Sequence, residues 1–360
     1  MIKPGPQPDR RVQIRERGRS SWRLGAVGVL VLLCCASCTG LRGTGAAPPA
    51  SPAEAFTLVP DQQAVGEIRH YVVRPGEVFP DIARRFDLGY TELVTANPGI
   101  DPWAPGAGRT ITIPALYVLP KAPHQGIVIN LAQWRLFYFP PDGDRVETHP
   151  VGLGVIGQRT PIGATRIVRK EPHPTWYVPA SIRTERPGMP AVVKPGPDNP
   201  LGDYALHLGW ADYLIHGTNK PDGVGRNVSH GCVRLYPEDI ARLFREVSVG
   251  TPVRTVNQPA TAGWLGDRLY VEVYPSKTQA QAIDTDRGIA SDPARGVAAV
   301  VRAAAGPYAA IVDWRRVADA ARRRTGTPIA VADRATAALR AGSAWQADAA
   351  LSAARKAPGS

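Results

Sequence analysis

From Gln125 to Gln258 the chain is a succession of short β-prone runs, each cut off by glycine or proline: IVINLAQWRLFYF, HPVGLGVIG, ATRIVRK, TWYVP and ALHLG. Proline removes a backbone donor and fixes φ, whereas glycine frees φ at an entropic cost, so neither suits the interior of a long helix. A region punctuated in this way has short strands and tight turns as its main option. IVINLAQWRLFYF reads as two alternating strands that turn near Ala132-Gln133, and TPVRTVNQ and RLYVEVYP return to strand. The exception runs from Asp239 to Val247. Pro237 suits a first helical turn, Glu238 and Asp239 sit at its positive end, and Ile240, Leu243, Phe244 and Val247 make one apolar face before the stop at Gly250. The expected fold over residues 123–258 is mainly β and β-sandwich-like with one or two helices, with 259–275 as a terminal strand extension.

Residues 67–116 pattern as a separate small α+β unit. HYVVRPGE is a short strand ending in a Pro-Gly turn, VFPDIARRFDL and YTELVTANPGI carry helical spacing, and RTITIP returns with period two. Strand, helix, helix, strand over this length resembles the lysin motif (LysM), a peptidoglycan-binding module. The residues that carry the resemblance are Tyr71-Val72-Val73, Pro75-Gly76-Glu77, Ile82-Ala83, Phe86, Leu93, Asn97-Pro98 and Ile111 to Pro114. Phe79 and Pro80 depart from the motif's usual residues.

Charge and cysteine usage bound the compartment. The net charge of +12 is carried mostly by the ends, with +5 in residues 1–37 and +6 in residues 276–360. The middle is therefore close to neutral, and no arginine–aromatic interleaving or zinc-finger spacing supports nucleic-acid binding. Arg10, Arg11, Arg15, Arg17, Arg19 and Arg23 precede the apolar run from Leu24 to Cys38, which is short for a membrane span and suited to an export signal. Ala36-Ser37-Cys38 resembles a lipoprotein cleavage box, although Cys35 stands where leucine is favoured. Residues 1–38 are then a signal peptide with a lipobox whose lipidated Cys38 would attach the chain to the membrane, beside the alternatives of ordinary signal cleavage or an uncleaved anchor; in each case the protein is exported to the periplasm or cell envelope. Residues 39–66, rich in Gly, Ala, Pro and Ser, form a linker. Residues 276–360 are Ala- and Arg-rich and offer no evident core, so a helical or disordered tail is expected there.

With Cys34 and Cys35 lost with the signal and Cys38 lipidated, Cys232 is the remaining thiol. An unpaired thiol in an oxidising compartment is either a buried small hydrophobe or a reactive group. It lies in HGTNKPDGVGRNVSHGCVR, His216 to Arg234, which admits three chemistries. A zinc site wants three or four ligands at spacings such as C-x-x-C or H-x-x-x-H, which are not found here. N-K-P-D-G is a good surface turn by itself. A thiolate nucleophile with a histidine base is the third, favoured by glycines whose backbone can approach closely and offer amides to an oxyanion.

H-G-T-N followed by V-S-H-G-C-V-R resembles the signature of the L,D-transpeptidase catalytic-domain family, in its LysM-bearing, lipoprotein-attaching and peptidoglycan-crosslinking branch. Further matches are Thr160 to Gly163, Pro174-Thr175-Trp176, Pro179 to Ile182 and Pro195 to Gly202. The resemblance implies Cys232 as nucleophile and His216 as proton acceptor and donor, with the Gly217 carbonyl holding the imidazole. Ser229, His230 and Gly231 would shape the site and oxyanion pocket, and Arg234 would fix the loop or meet a substrate carboxylate. It further implies peptidoglycan stem peptides and glycan as partners, an outer-membrane lipoprotein as an optional acceptor, and no metal or other cofactor. Two alternatives stand beside transpeptidation: an L,D-carboxypeptidase with water as acceptor, and a non-catalytic peptidoglycan tether.

Overall fold

The computed structural model describes residues 55–154, 160–229, 231–285 and 291–337, all within one compact unit. The expected signal peptide and lipobox lie outside the described residues, and among these residues no helix is long and apolar enough to cross a membrane. The N-terminal part runs β1 (Ala55–Thr57), β2 (Ala64–Gly66), β3 (Arg69–Val72), α1 (Phe79–Arg85), α2 (Tyr90–Ala96), β4 (Thr110–Ile113) and β5 (Leu116–Val118). β3 and β4 pair antiparallel, and the two helices pack Phe79, Ile82, Leu88 and Leu93 with Val73 and Ile111. Phe79 is thus a core residue, and Pro80 sits in the first turn of α1, where a missing N–H costs nothing. Buried Asn97 closes the unit: its amide donates to the carbonyls of Leu93 (2.9 Å) and Thr112 (2.8 Å) and accepts from the Thr112 N–H (2.7 Å). The chain enters the fold earlier than the expected linker end, because β1 pairs with β8 below and Phe56 packs against the core.

The central part runs β6 (Gly126–Asn130), β7 (Arg135–Phe139), β8 (Arg145–Pro150), β9 (Leu153–Gly154), β10 (Gly163–Pro172), β11 (Trp176–Tyr177), α3 (Ala180–Glu185), β12 (Val192–Val193), β13 (Tyr204–Leu208), β14 (Leu214–His216), β15 (Asn227–Ser229), β16 (Val233–Arg234), α4 (Pro237–Glu246) and β17 (Pro252–Val256). Nine strands form one mixed sheet in the order β1-β8-β7-β6-β17-β10-β13-β14-β16. The long strand β10 gives its first half to β17 and its second half to β13, with an irregularity between Ile167 and Arg169, so the sheet curls there. Every residue of β6 and β7 is buried. Ile127, Ile129, Leu136 and Tyr138 face a core shared with Ile240 and Leu243 of α4, while Val128, Phe137 and Phe139 face the core of the LysM-like unit. A sheet covered on both faces reads as continuously apolar.

The two modules are therefore packed together, with polar contacts at the joint. Arg135, fully buried, donates to Glu92 (2.8 Å), to the Asp87 carbonyl (2.9 Å) and to Thr148, and stacks 4.0 Å over Tyr117. Arg84 of α1 forms two 2.8 Å bonds to Glu238 of α4, and the Tyr236 hydroxyl donates to the Leu88 carbonyl at 3.0 Å.

The C-terminal part runs β18 (Ala260–Leu265), β19 (Arg268–Val273), α5 (Lys277–Asp284), α6 (Val297–Ala305), α7 (Trp314–Arg323) and β20 (Ile329–Asp333). Composition suggested a tail without a core; instead β18, β19 and β20 form a sheet on which α6 and α7 pack. The core is real but narrow. Val297, Val301 and Ala305 recur every four residues along α6, and Val317 and Ala320 face Leu269, Val271 and Val331. Alanine on either side of such a stripe hides it from a composition count.

Candidate active site

His216 ends β14, which lies between β13 (Ala205 opposite His216) and the parallel strand β16. Register sets Ile215 beside Val233 and His216 beside Arg234. Cys232 immediately precedes β16, and strand alternation carries Cys232 and Arg234 to the same side as His216. With strands about 4.8 Å apart and two residues spanning about 6.6 Å, the histidine and cysteine Cα atoms are diagonal neighbours at about 8 Å. Side chains of these lengths can meet across that gap.

The imidazole is buried, with 3% of its surface exposed, and its Nδ1 donates to the Gly217 carbonyl at 2.7 Å. That bond fixes the tautomer with a proton on Nδ1 and leaves Nε2 as the basic nitrogen. Burial and the neighbouring Arg234 charge press His216 down to about 3, against the pull of the Gly217 and Leu201 carbonyls. A side chain at Gly217 would crowd its neighbours, since a Cβ would stand 3.0 Å from Ile240 Cγ2 and 3.3 Å from the Leu201 carbonyl oxygen. The base is therefore seated by the packing of α4.

Cys232 is partly exposed and is the free cysteine among the described residues. Its thiol donates to the Asp212 carbonyl at 3.5 Å. Burial pushes this thiol above its ordinary value, and Asp212 adds to the rise; a Leu214 backbone bond and the Arg234 charge oppose it. The resting pair is therefore a neutral thiol and a neutral imidazole. Burial of the imidazole, and partial burial of the thiol, disfavour the charged form of each.

The turn before Cys232 is held by its own residues. Ser229 Oγ donates to the Cys232 carbonyl at 2.6 Å and accepts from the Gly231 N–H at 3.2 Å, while Thr160 donates to the Gly231 carbonyl at 2.8 Å. Gly231 adopts φ +110°, which side-chain-bearing residues rarely reach. Ser229 occupies the Gly231 amide, so an oxyanion would be met by other amides. Arg234 is half-buried, exchanges backbone bonds with Gly152 (2.9 Å each way), and among the described residues its buried Nε has no hydrogen-bond partner. His230 lies outside the described residues.

Beyond the residues of the His216–Arg234 segment, others frame the site, Asn199 of the matched Pro195–Gly202 stretch among them. Asn199, fully buried, donates to the carbonyls of Pro174 (2.8 Å) and Lys194 (3.2 Å) and accepts from the Leu201 N–H (2.9 Å). It ties the segment around β11 and β12 to the turn before β13, where Leu201 lies beside His216. The loop after His216 is braced from the LysM-like module: the Tyr90 N–H donates to the Val224 carbonyl at 3.2 Å, and Arg226 lies 3.4 Å over the Tyr90 ring. At the same joint Gly225, at φ +79°, meets Gly89 backbone to backbone; a Cβ on Gly225 would fall 2.3 Å from Gly89 Cα. The Asn-Pro and Gly-rich signals mark these places as turns but do not show what they touch.

Known proteins agree with this layout. The L,D-transpeptidase catalytic domain (YkuD) matches residues 124–255, and the LysM domain matches residues 71–114. The probable L,D-transpeptidase YcfS of Escherichia coli K12 is 41% identical over 251 residues, which cover 66% of this chain and 78% of that protein. The probable L,D-transpeptidase YbiS of the same strain is 42% identical over 238 residues, covering 64% and 76%. The probable L,D-transpeptidase ErfK/SrfK, also from that strain, is 35% identical over 310 residues, covering 83% and 94%. A β-rich catalytic domain with a seated histidine and a free cysteine, joined to a LysM domain and matched along most of three such relatives, places this chain in the L,D-transpeptidase family of enzymes.

Proposed function

We propose that the protein is a peptidoglycan L,D-transpeptidase that works through a thioester on Cys232. What supports it most is a partly exposed thiol one residue before β16 and a buried, neutral imidazole at the end of neighbouring β14, its tautomer fixed by the Gly217 carbonyl. As Sγ attacks the carbonyl of the third, diamino-acid residue of a stem tetrapeptide, its proton passes to Nε2 of His216. The C–N bond to the terminal D-alanine breaks, and the leaving amine takes that proton. An acceptor amine then gives a proton to His216 and attacks the thioester, and the sulfur leaves and is reprotonated. A carbonyl orients the imidazole where a serine protease uses a carboxylate. The positive charge of Arg234 beside the sulfur suits a substrate carboxylate and the developing negative charge.

The acceptor is the side-chain amine of a second diamino acid, giving a 3–3 crosslink, or a lysine of an outer-membrane lipoprotein; water would give carboxypeptidase products. The enzyme is exported, with Cys38 acylated and the LysM domain raising local substrate concentration on the glycan. Incubating the protein with tetrapeptide muropeptides, with and without a lipoprotein C-terminal peptide, and weighing the products tests the reaction and its acceptor. D-Alanine release and one of the three product masses are expected from the native chain and neither from Cys232→Ala. Equal turnover by Cys232→Ala would remove the thioester mechanism, and no turnover by the native chain would leave a wall-binding tether.

A further inference from the structure

Where the LysM domain meets the catalytic sheet, three side chains from three elements converge: Asp87 after α1, His149 in β8 and Asp239 in the first turn of α4. One ligand-type atom from each lies within 4.8 Å of the others, and His149 Nδ1 is 3.4 Å from Asp239 Oδ1. Their exposures are 4%, 0% and 2%. Among the described residues, the carboxyl oxygens of Asp87, both ring nitrogens of His149 and Oδ2 of Asp239 find no partner outside the cluster, and Asp87 and Asp239 lie close enough to share a proton. Native interiors rarely leave one such atom unpaired, and here they are clustered and face one another.

The charged neighbours are committed elsewhere. Arg135 is bonded to Glu92, Thr148 and the Asp87 carbonyl, Arg242 to Glu147, Arg84 to Glu238, and the Tyr236 hydroxyl to Leu88. What the cluster offers a cation is one imidazole nitrogen and two carboxyl oxygens, and a dication bound there would replace the proton that burial favours on the carboxyl pair. Imidazole with carboxylates suits zinc and related ions better than magnesium or calcium. Bonds of about 2.0–2.2 Å would need the donor atoms about 3.4 Å apart, a small inward rotation of side chains already this close.

We propose that Asp87, His149 and Asp239 form a binding site for a divalent transition-metal ion, zinc by ligand type, shared between the LysM domain and the catalytic domain. The site is independent of the thiol, and three protein ligands leave one position for water. Because one ligand comes from one domain and two from the other, the ion would hold the joint closed.

The test uses the whole chain carrying Cys232→Ser, so that no thiolate competes for metal, stripped with a chelator and titrated with Zn²⁺ by calorimetry and with Co²⁺ by absorption spectroscopy. One ion per chain, a raised Tm, and cobalt d–d bands without a thiolate charge-transfer band are expected. Asp87→Asn and His149→Gln, in the same background, should each weaken binding at least tenfold with unchanged far-ultraviolet dichroism. If His149→Gln does not fold, the near-isosteric Asp87→Asn decides. Absence of stoichiometric uptake, or uptake equally tight in Asp87→Asn, overturns the proposal.

Discussion

At neutral pH the sulfur of Cys232 keeps its proton, because burial raises its pKa while the adjacent imidazole, held down to about 3, is too weak a base to take it at rest. The proton moves only as the bond to carbon forms. Iodoacetamide, which consumes thiolate, should therefore react about tenfold faster per pH unit from 6 to 8; a plateau across that range would mean a preformed ion pair. A carbapenem, by contrast, should acylate Cys232 at a rate nearly independent of pH from 5 to 8, since it engages the base. Protonation of His216 sets in only near pH 3, so an acid limb should appear there and no higher; mass spectrometry of the adduct follows it. Replacing His216 with glutamine should slow acylation by about 10²–10⁴-fold. A smaller loss than that from an equivalent change at His230 would exchange their roles.

The elements around the site hold it by a few buried polar groups. Asn199→Ala would leave the carbonyls of Pro174 and Lys194 and the Leu201 N–H without their partner. A loss of about 1–3 kcal/mol in urea unfolding is expected, together with a raised KM as the segment carrying Leu201 loosens. Much at this scale was legible in the residues: the helix begun by Pro237, the strands bounded by glycine and proline, and the strand–helix–helix–strand order before residue 116. The local signals sufficed because each element is made by neighbours in the chain. Residues such as Arg84, Arg135 and Glu92 could not be read the same way. Their partners lie 43 to 154 positions away, so charges that look solvated in the sequence are joints in the fold. Asn199 is likewise legible as a turn residue, but the carbonyls it satisfies are set by tertiary structure.

Over the whole molecule, the LysM domain supplies the second face of the catalytic sheet. Deleting residues 55–116 would bare Val128, Phe137, Phe139 and Val146, and the remaining chain should aggregate on expression, which size-exclusion chromatography would show. Arg135→Ala leaves Glu92 without its buried partner and should cost about 3–5 kcal/mol of stability in denaturant unfolding. The Gly89–Gly225 joint reaches the loop between His216 and Cys232 directly. Neither position has a side chain to trim, so an alanine at Gly225 can be accommodated only by parting two main chains. A chimera that takes its wall-binding half from one relative and its acyl-transfer half from another will inherit two surfaces that were never fitted to each other. Such exchanges should succeed when both sides of the seam travel together, which makes the pair, and not either half, the portable unit.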